Sequence, residues 1–335
     1  MGIQPEMVEG RRITNAETLE VVEMYYAGKL NKQIVALLQS FGLDAEGKET
    51  ILLNSHHDTV KPGNWTYNPF EPTLEGDKLI GLGSNDAGGP LVSLMATFLY
   101  LKDKELPYNL IFAASAEEEI SGANGMRALY SQLGKIDLAI VGEPTKMDLA
   151  IAERGLIVAD CTTKGKTGHA ARNEGVNALY LAIDDINWLR SYQFDKVSEV
   201  LGPVSINVTK IESGTQHNVI PDHCNYLVDI RTNELYNNLE IIEFLKKNLN
   251  AEFSPRSYWL NSSGIPIDHP FVQKAKAKGF KTYGSPTLSD QSLMDCHSVK
   301  IGPGDSARSH TPDEYILISE IEEGIDVRQR FQTNR

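Results

Sequence analysis

Between Thr50 and Pro144 short apolar runs alternate with stretches whose apolar positions recur every three or four residues, the texture of a mainly parallel sheet covered by helices. The pattern predicts strands at Ile51 to Leu53, Asn109 to Ala114 and Leu138 to Val141, and helices at Gly88 to Lys102 and Ala123 to Leu133. From about Gly155 to Ser262 the texture changes. Longer strands of alternating polarity (Leu156 to Lys164, Val204 to Glu212, His223 to Arg231) are separated by helical patterns at Val176 to Ser191 and Leu239 to Leu249. Gly264-Ile265-Pro266 marks the return to the first texture, so the middle stretch reads as an α+β insertion in an α/β unit. The first 46 residues carry two further helical patterns, Ala16 to Ala27 and Asn31 to Phe41, with Asn15 as candidate N-cap and Gly28 and Gly42 as candidate stops. The expected organisation is a helical segment at 1–46, a catalytic domain at 47–154 and 263–335, and an inserted domain at 155–262. The polar tail from Arg328 is expected to fray.

With 335 residues, 41% hydrophobic and 23% charged, the chain has the composition of a soluble globular protein long enough for two domains. Its most apolar run, Leu91 to Leu101, includes Ser93 and Thr97 and falls well short of the about 20 residues that cross a bilayer. No membrane span is expected. Lys and Arg number 32 against 45 Asp and Glu, and the net charge of −13 disfavours nucleic acid as a partner. Cys161, Cys224 and Cys296 are widely spaced, so neither a disulfide framework nor a thiolate zinc site is indicated. The N-terminus shows no basic, apolar export signal, and a cytoplasmic location is expected.

The chemistry concentrates where predicted strands end. His56 and Asp58 follow the first strand, Asp86 precedes a helix in Gly83-Ser84-Asn85-Asp86, Glu117-Glu118-Glu119 follows the second strand, Glu143 ends the third, and His310 lies far downstream. Side chains at such positions converge at the carboxyl edge of an α/β sheet. Taken singly, His56 reads as a hydrogen-bonded core histidine, Asp86 as a helix cap and the three glutamates as a solvated charge run. Taken together, imidazoles and carboxylates without thiolate suit zinc or a related divalent ion, and a cation relieves the repulsion of three carboxylates at a sheet edge.

The ordered set Ser55-His56-His57-Asp58-Thr59-Val60, Gly83-Ser84-Asn85-Asp86, Glu117-Glu118-Glu119, Gly142-Glu143-Pro144-Thr145 and Ser309-His310 resembles the M20 family of metallopeptidases and deacylases. The resemblance runs from about Lys48 to Gly324. Within the family it is most similar to the acetylornithine deacetylase-like enzymes of arginine biosynthesis, including those acting on acetyl- or succinyl-citrulline. It implies a catalytic domain with a mixed sheet flanked by helices, plus an inserted ferredoxin-like α+β domain that acts as lid and dimerises the chain. Carried over residue by residue, it makes Asp86 the bridge between two Zn2+ ions, with Co2+ as an alternative. His56 and Glu143 complete one ion's ligands, and Glu119 and His310 the other's. Glu118 matches the general base, and Asp58 the carboxylate that orients a ligand imidazole.

In the insertion, His169 matches the residue that stabilises the oxyanion from a partner subunit. Asn218 and Arg231 match residues that hold the substrate carboxylate. On its own, Arg231 reads equally well as a surface cation at a strand end. Residues 1–46 resemble an internal fragment of acetylglutamate kinase, so the N-terminal part of the usual catalytic domain is expected to be replaced. No GxxxxGK phosphate loop is present. The expected function is hydrolysis of a small N-acyl amino acid, N-acetylornithine or N-acetyl- or N-succinyl-citrulline, by a homodimer. Succinyl-diaminopimelate desuccinylase, aminoacylase, dipeptidase and a non-catalytic metal-binding remnant are the alternatives.

Overall fold

The computed structural model describes residues 6–8, 11–13, 48–172 and 174–323. Strands β1 (Glu6–Val8) and β2 (Arg11–Ile13) pair as an antiparallel hairpin. The helices expected at 16–27 and 31–41, and the tail from Arg328, lie outside the described residues. The chain divides into two compact units, one within Met1–Ile151, Ile265–Tyr283 and Ser289–Arg335, the other Ala152–Gly264 and Gly284–Leu288.

In the first unit, β3 (Thr50–His56) is buried from Ile51 to its end and stands next to the last strand of a mixed sheet. It runs parallel to β6 (Asn109–Ser115) on one side and β7 (Leu138–Val141) on the other. An unbroken buried run is what a strand covered on both faces requires. Beyond β7 come β17 (His297–Lys300), parallel, and β8 (Leu149–Glu153), antiparallel. The sheet is therefore mixed. Helix α1 (Gly89–Leu101) packs on β3 and β6. On the other face Leu52, Ala113, Ala139 and Val141 close over Met126, Ile136 and Met294. A smaller sheet orders β4 (Thr73–Glu75), β5 (Lys78–Ile80) and β18 (Tyr315–Leu317), with α6 (Ile318–Glu323) next in the chain. Helix α5 (Pro270–Ala277) leads to β16 (Thr282–Ser285), which pairs with β8.

One helix is shorter than its sequence pattern. Where the pattern predicts Ala123 to Leu133, α2 spans only Met126–Tyr130. The preceding loop folds back on itself, Glu117 accepting the N–H of Asn124 at 3.0 Å, and a Cβ on Gly125 would lie 2.0 Å from the Ala116 carbonyl oxygen. That closure consumes the residues the helix would have used.

The second unit is built from β9 (Gly155–Lys164), α3 (Ala178–Ser191), β11 (Ser205–Ser213), β13 (His223–Thr232), α4 (Asn238–Asn248) and β14 (Glu252–Pro255). All strand pairs are antiparallel, in the order β11-β13-β9-β14. This βαββαβ path is the ferredoxin-like arrangement. Every second residue of β9 and β13 is buried, and Ile157, Ala159, Val228 and Ile230 meet Ala182, Leu189, Ile241 and Leu245 of the helices in one core. Strands β10 (Gly168–His169) and β12 (Val219–Ile220) form a separate two-stranded ribbon, and β15 (Ser263–Gly264) pairs Ser263 with Glu153. Asn177 and Asn237 cap α3 and α4, their side chains accepting the N–H of Leu179 at 3.0 Å and Leu239 at 2.8 Å. Asn177→Ala is expected to lower stability by about 1 kcal/mol in urea unfolding, and Asn237→Ala by a similar amount, the two adding in the double variant. No loss for either variant contradicts the capping role.

Candidate metal centre

Parallel pairing of β3 and β6 places both carboxyl ends on one edge, and the register sets His56 opposite Ser115. His56 is 2% exposed. Its Nδ1 donates to the Asp58 carbonyl oxygen at 3.0 Å, with the Asp58 carboxylate 3.7 Å away. That bond orients the ring and turns Nε2 toward the site, 3.1 Å from Asp86 Oδ1. The Asp58 carboxylate accepts the backbone N–H groups of Glu118 at 3.2 Å and Glu119 at 3.3 Å, tying the loop after β6 to the end of β3.

Asp86 is held by its backbone. The loop before it turns at Gly83, whose φ of 74° and lack of a Cβ let it lie against Thr59. Glu314, 2% exposed, accepts the N–H groups of Gly83 at 3.0 Å, Asn85 at 2.9 Å and Asp86 at 2.8 Å. Asp86 is thus no helix cap; α1 starts three residues later, and its N-terminus carries no side-chain cap. Its Oδ1 faces His56, while its Oδ2 lies 3.6 Å from His310 Nε2. His310 Nε2 is also 2.9 Å from Glu119 Oε2. Donor atoms of His56, Asp86 and Glu119 lie within 4.8 Å of one another.

Electrostatics single out the same spot. Burial, and after it the charge of Glu143 at the end of β7, pushes the Glu118 carboxyl well above the usual carboxylate range. Burial and then Asp86 raise Glu119. Burial opposes a charge on His56, but its hydrogen bonds to Asp58 and Asp86 outweigh that and raise it strongly. The donors are imidazole nitrogens and carboxylate oxygens, and one carboxylate presents each oxygen to a different histidine. This set fits divalent ions such as Zn2+, with Asp86 placed to be shared.

The residues of the second unit are arranged differently. His169 pairs with Val219 across the ribbon, and the Asn218 carbonyl accepts the Ala170 N–H at 3.1 Å, so His169 and Asn218 are neighbours on an exposed element. Arg231 is not with them. It stands at the far end of β13 from His223, roughly 26 Å away at about 3.3 Å per residue. There its guanidinium is tied to Asp229, Nε to Oδ1 at 2.8 Å and Nη2 to Oδ2 at 3.0 Å. His57 is exposed and lies just past the end of β3.

Two buried carboxylates at the site were missed in the sequence, Glu314 and Asp290. Glu314 lies in Thr311-Pro312-Asp313-Glu314, four residues after His310, and proximity to that histidine was the only available signal. Asp290, in Ser289-Asp290-Gln291-Ser292, sits among polar residues that resemble a surface loop.

A family model described as peptidase family M20/M25/M40 matches residues 52–334. The chain belongs to that family. With the donor set above, it is a metal-dependent amidohydrolase. Among M20 relatives, the succinyl-diaminopimelate desuccinylase of Orientia tsutsugamushi (strain Boryong) is 28% identical over 293 residues, which cover 83% of this chain and 72% of that one. The acetylornithine deacetylase of Pectobacterium carotovorum subsp. carotovorum (strain PC1) is 30% identical over 295 residues, 81% of this chain and 76% of that one. Aminopeptidase PepT from Bacillus cereus shares the fold at a TM-score of 0.65 and 21% identity, with 93% of this chain and 91% of that chain covered. A dinuclear metal-binding peptidase of the M20 family from Bacillus subtilis shares it at a TM-score of 0.58 and 18% identity, with 85% and 81% covered. Among the described residues, no helix is long and apolar enough to cross a membrane.

Proposed function

We propose that this M20 member hydrolyses the N-acyl amide of a small amino acid, with N-acetylornithine or N-acetyl- or N-succinyl-citrulline as substrate and arginine biosynthesis as its setting. The observation that carries the chemistry is Asp86, its two oxygens facing His56 and His310 beside Glu119. In this reading His56 and Glu143 hold one Zn2+, Glu119 and His310 the other, and Asp86 both. Metal ions held by these residues would supply Lewis acidity, polarising the amide carbonyl and lowering the pKa of water toward neutrality.

The remaining work belongs to the chain. Glu118, raised by burial beside Glu143, accepts the proton of the attacking water and returns it to the leaving amine. Asp58 keeps the loop of Glu118 and Glu119 in reach of His56. His169 steadies the oxyanion from a partner subunit, and Asn218 and Arg231, far apart within one chain, take the substrate carboxylate from different subunits, Arg231 exchanging its bidentate partner Asp229. Residues 155–262 serve as lid and as the dimer contact, a role supported by the outward Tyr180 and Ile183 of α3, 66% and 41% exposed. A cytoplasmic homodimer completes the proposal.

The deacetylase and desuccinylase relatives are about equally similar, at 30% and 28% identity, so a succinylated diamino acid is the second reading. Amine release from acetyl- and succinyl-ornithine, acetyl- and succinyl-citrulline and succinyl-diaminopimelate separates them. Turnover by the Zn2+-loaded chain is expected on an ornithine or citrulline substrate and is expected to vanish with chelator. Succinyl-diaminopimelate as the preferred substrate selects the second reading. Metal binding with no turnover on any member reassigns the chain as a non-catalytic metal-binding protein.

A further inference from the structure

Asp290 has no part in the chemistry above, yet it is 2% exposed and lies beneath the site. One carboxylate oxygen, Oδ2, accepts a hydrogen bond from Asn54 Nδ2 at 2.9 Å and another from Ser115 Oγ at 2.5 Å. Asn54 is two residues before His56, so both point to the same face of β3. Ser115 sits opposite His56 in the parallel register and is the last residue of β6 before the loop that bears Glu118 and Glu119. A single oxygen therefore joins the two strand ends that carry the candidate ligands. Backbone pairing fixes these strands along their length, but it ends at Ser115. Past that point the chain is held to β3 by the Asp58 carboxylate above and by Asp290 below.

We propose that Asp290 is a positioning residue, whose twofold hydrogen bond to Asn54 and Ser115 sets the spacing between His56 and the Glu118–Glu119 loop. The proposal rests on the metal-hydrolase reading of that site. The acting element is an acceptor oxygen at one point, not a charge: Oδ1 of the same carboxylate has no hydrogen-bond partner among the described residues. An asparagine, with its carbonyl oxygen in place of Oδ2, keeps both bonds. An alanine loses both and frees the loop to move relative to His56.

The test compares the full chain with Asp290→Ala, Asp290→Asn and Ser115→Ala, each loaded with Co2+, whose visible absorption reports ligand geometry. Asp290→Ala is expected to shift the Co2+ band, to bind Co2+ about tenfold more weakly in chelator competition, and to lower kcat about tenfold with KM little changed. Asp290→Asn restores spectrum, affinity and kcat to near wild type, and Ser115→Ala, with one tie cut, falls between. A wild-type Co2+ spectrum and affinity in Asp290→Ala overturns the proposal. Equal impairment of Asp290→Asn and Asp290→Ala overturns it too, because charge would then be the acting element. If Asp290→Ala does not fold, Ser115→Ala and Asn54→Ala decide, and wild-type Co2+ binding in both overturns it. A wild-type chain that turns over no amide defeats the functional reading alone, and the Co2+ comparison still stands.

Discussion

Glu118→Gln is expected to leave the chain folded and metal-loaded while lowering kcat about a thousandfold. The side chain keeps its size, and its backbone N–H still reaches Asp58 at 3.2 Å, so loop and ligands stay in place. The variant loses the ability to take a proton, which is worth about 10²- to 10⁴-fold when the group is the general base. The neighbouring Glu117→Gln is the control. Glu117 turns away from the site to hold Asn124, accepting from its backbone N–H and from its side-chain amide at 3.2 Å, so its loss is expected to change kcat little. Elemental analysis for zinc beside steady-state kinetics checks both. A Glu118→Gln enzyme within tenfold of wild type removes Glu118 from the mechanism.

Glu314→Ala is expected to produce the second large effect, this time on both stability and metal retention. Three backbone N–H groups converge on that carboxylate, and with it gone they are left buried without acceptors. At about 1 to 3 kcal/mol for each stranded donor, a loss of about 4 kcal/mol is expected in urea unfolding. The same change releases the loop that presents Asp86, so zinc is expected to dissociate more readily from the folded fraction. Glu314→Gln retains one acceptor oxygen and is expected to lose about half as much. Unchanged unfolding of the alanine variant shows that water satisfies these donors.

The sequence disclosed His56, Glu118, Glu119 and Glu143 because each follows a strand, where an apolar run stops and a histidine or acid begins, and Asp86 because it precedes a helix. His56, Asp86, Glu119 and His310 are found together as that pattern implied, although His310 is more than 220 residues from Asp86 in the chain. The inserted α+β unit was equally legible. Its strands β9 and β13 alternate strictly, so burial there tracks sequence parity.

The features that stayed hidden act on backbone or through packing. Glu314 binds peptide groups 228 to 231 positions away, and Asp290 reaches Asn54 across 236. Neither interaction leaves a periodic trace. The helix over Ala123 to Leu133 shrank for a related reason. Its apolar positions do reach the core, Met126 fully buried and Leu129 and Leu133 packed against the same cluster, but loop closure at Gly125 decided where winding begins. Arg231 illustrates the opposite case: its residue type suggested a carboxylate partner, and it has one, Asp229, two positions back on its own strand.

The short pairing of Ser263 with Glu153 and Gly264 with Ala152 makes the middle of the chain a cassette. Entry and exit of the polypeptide are one strand spacing apart, about 4.8 Å. A recombination event that removes or swaps everything between them needs no linker to span a gap and leaves the ligand-bearing strands of the first unit uncut. Substrate preference, if it resides in the cassette, can therefore change hands between lineages while the hydrolytic half is inherited unaltered.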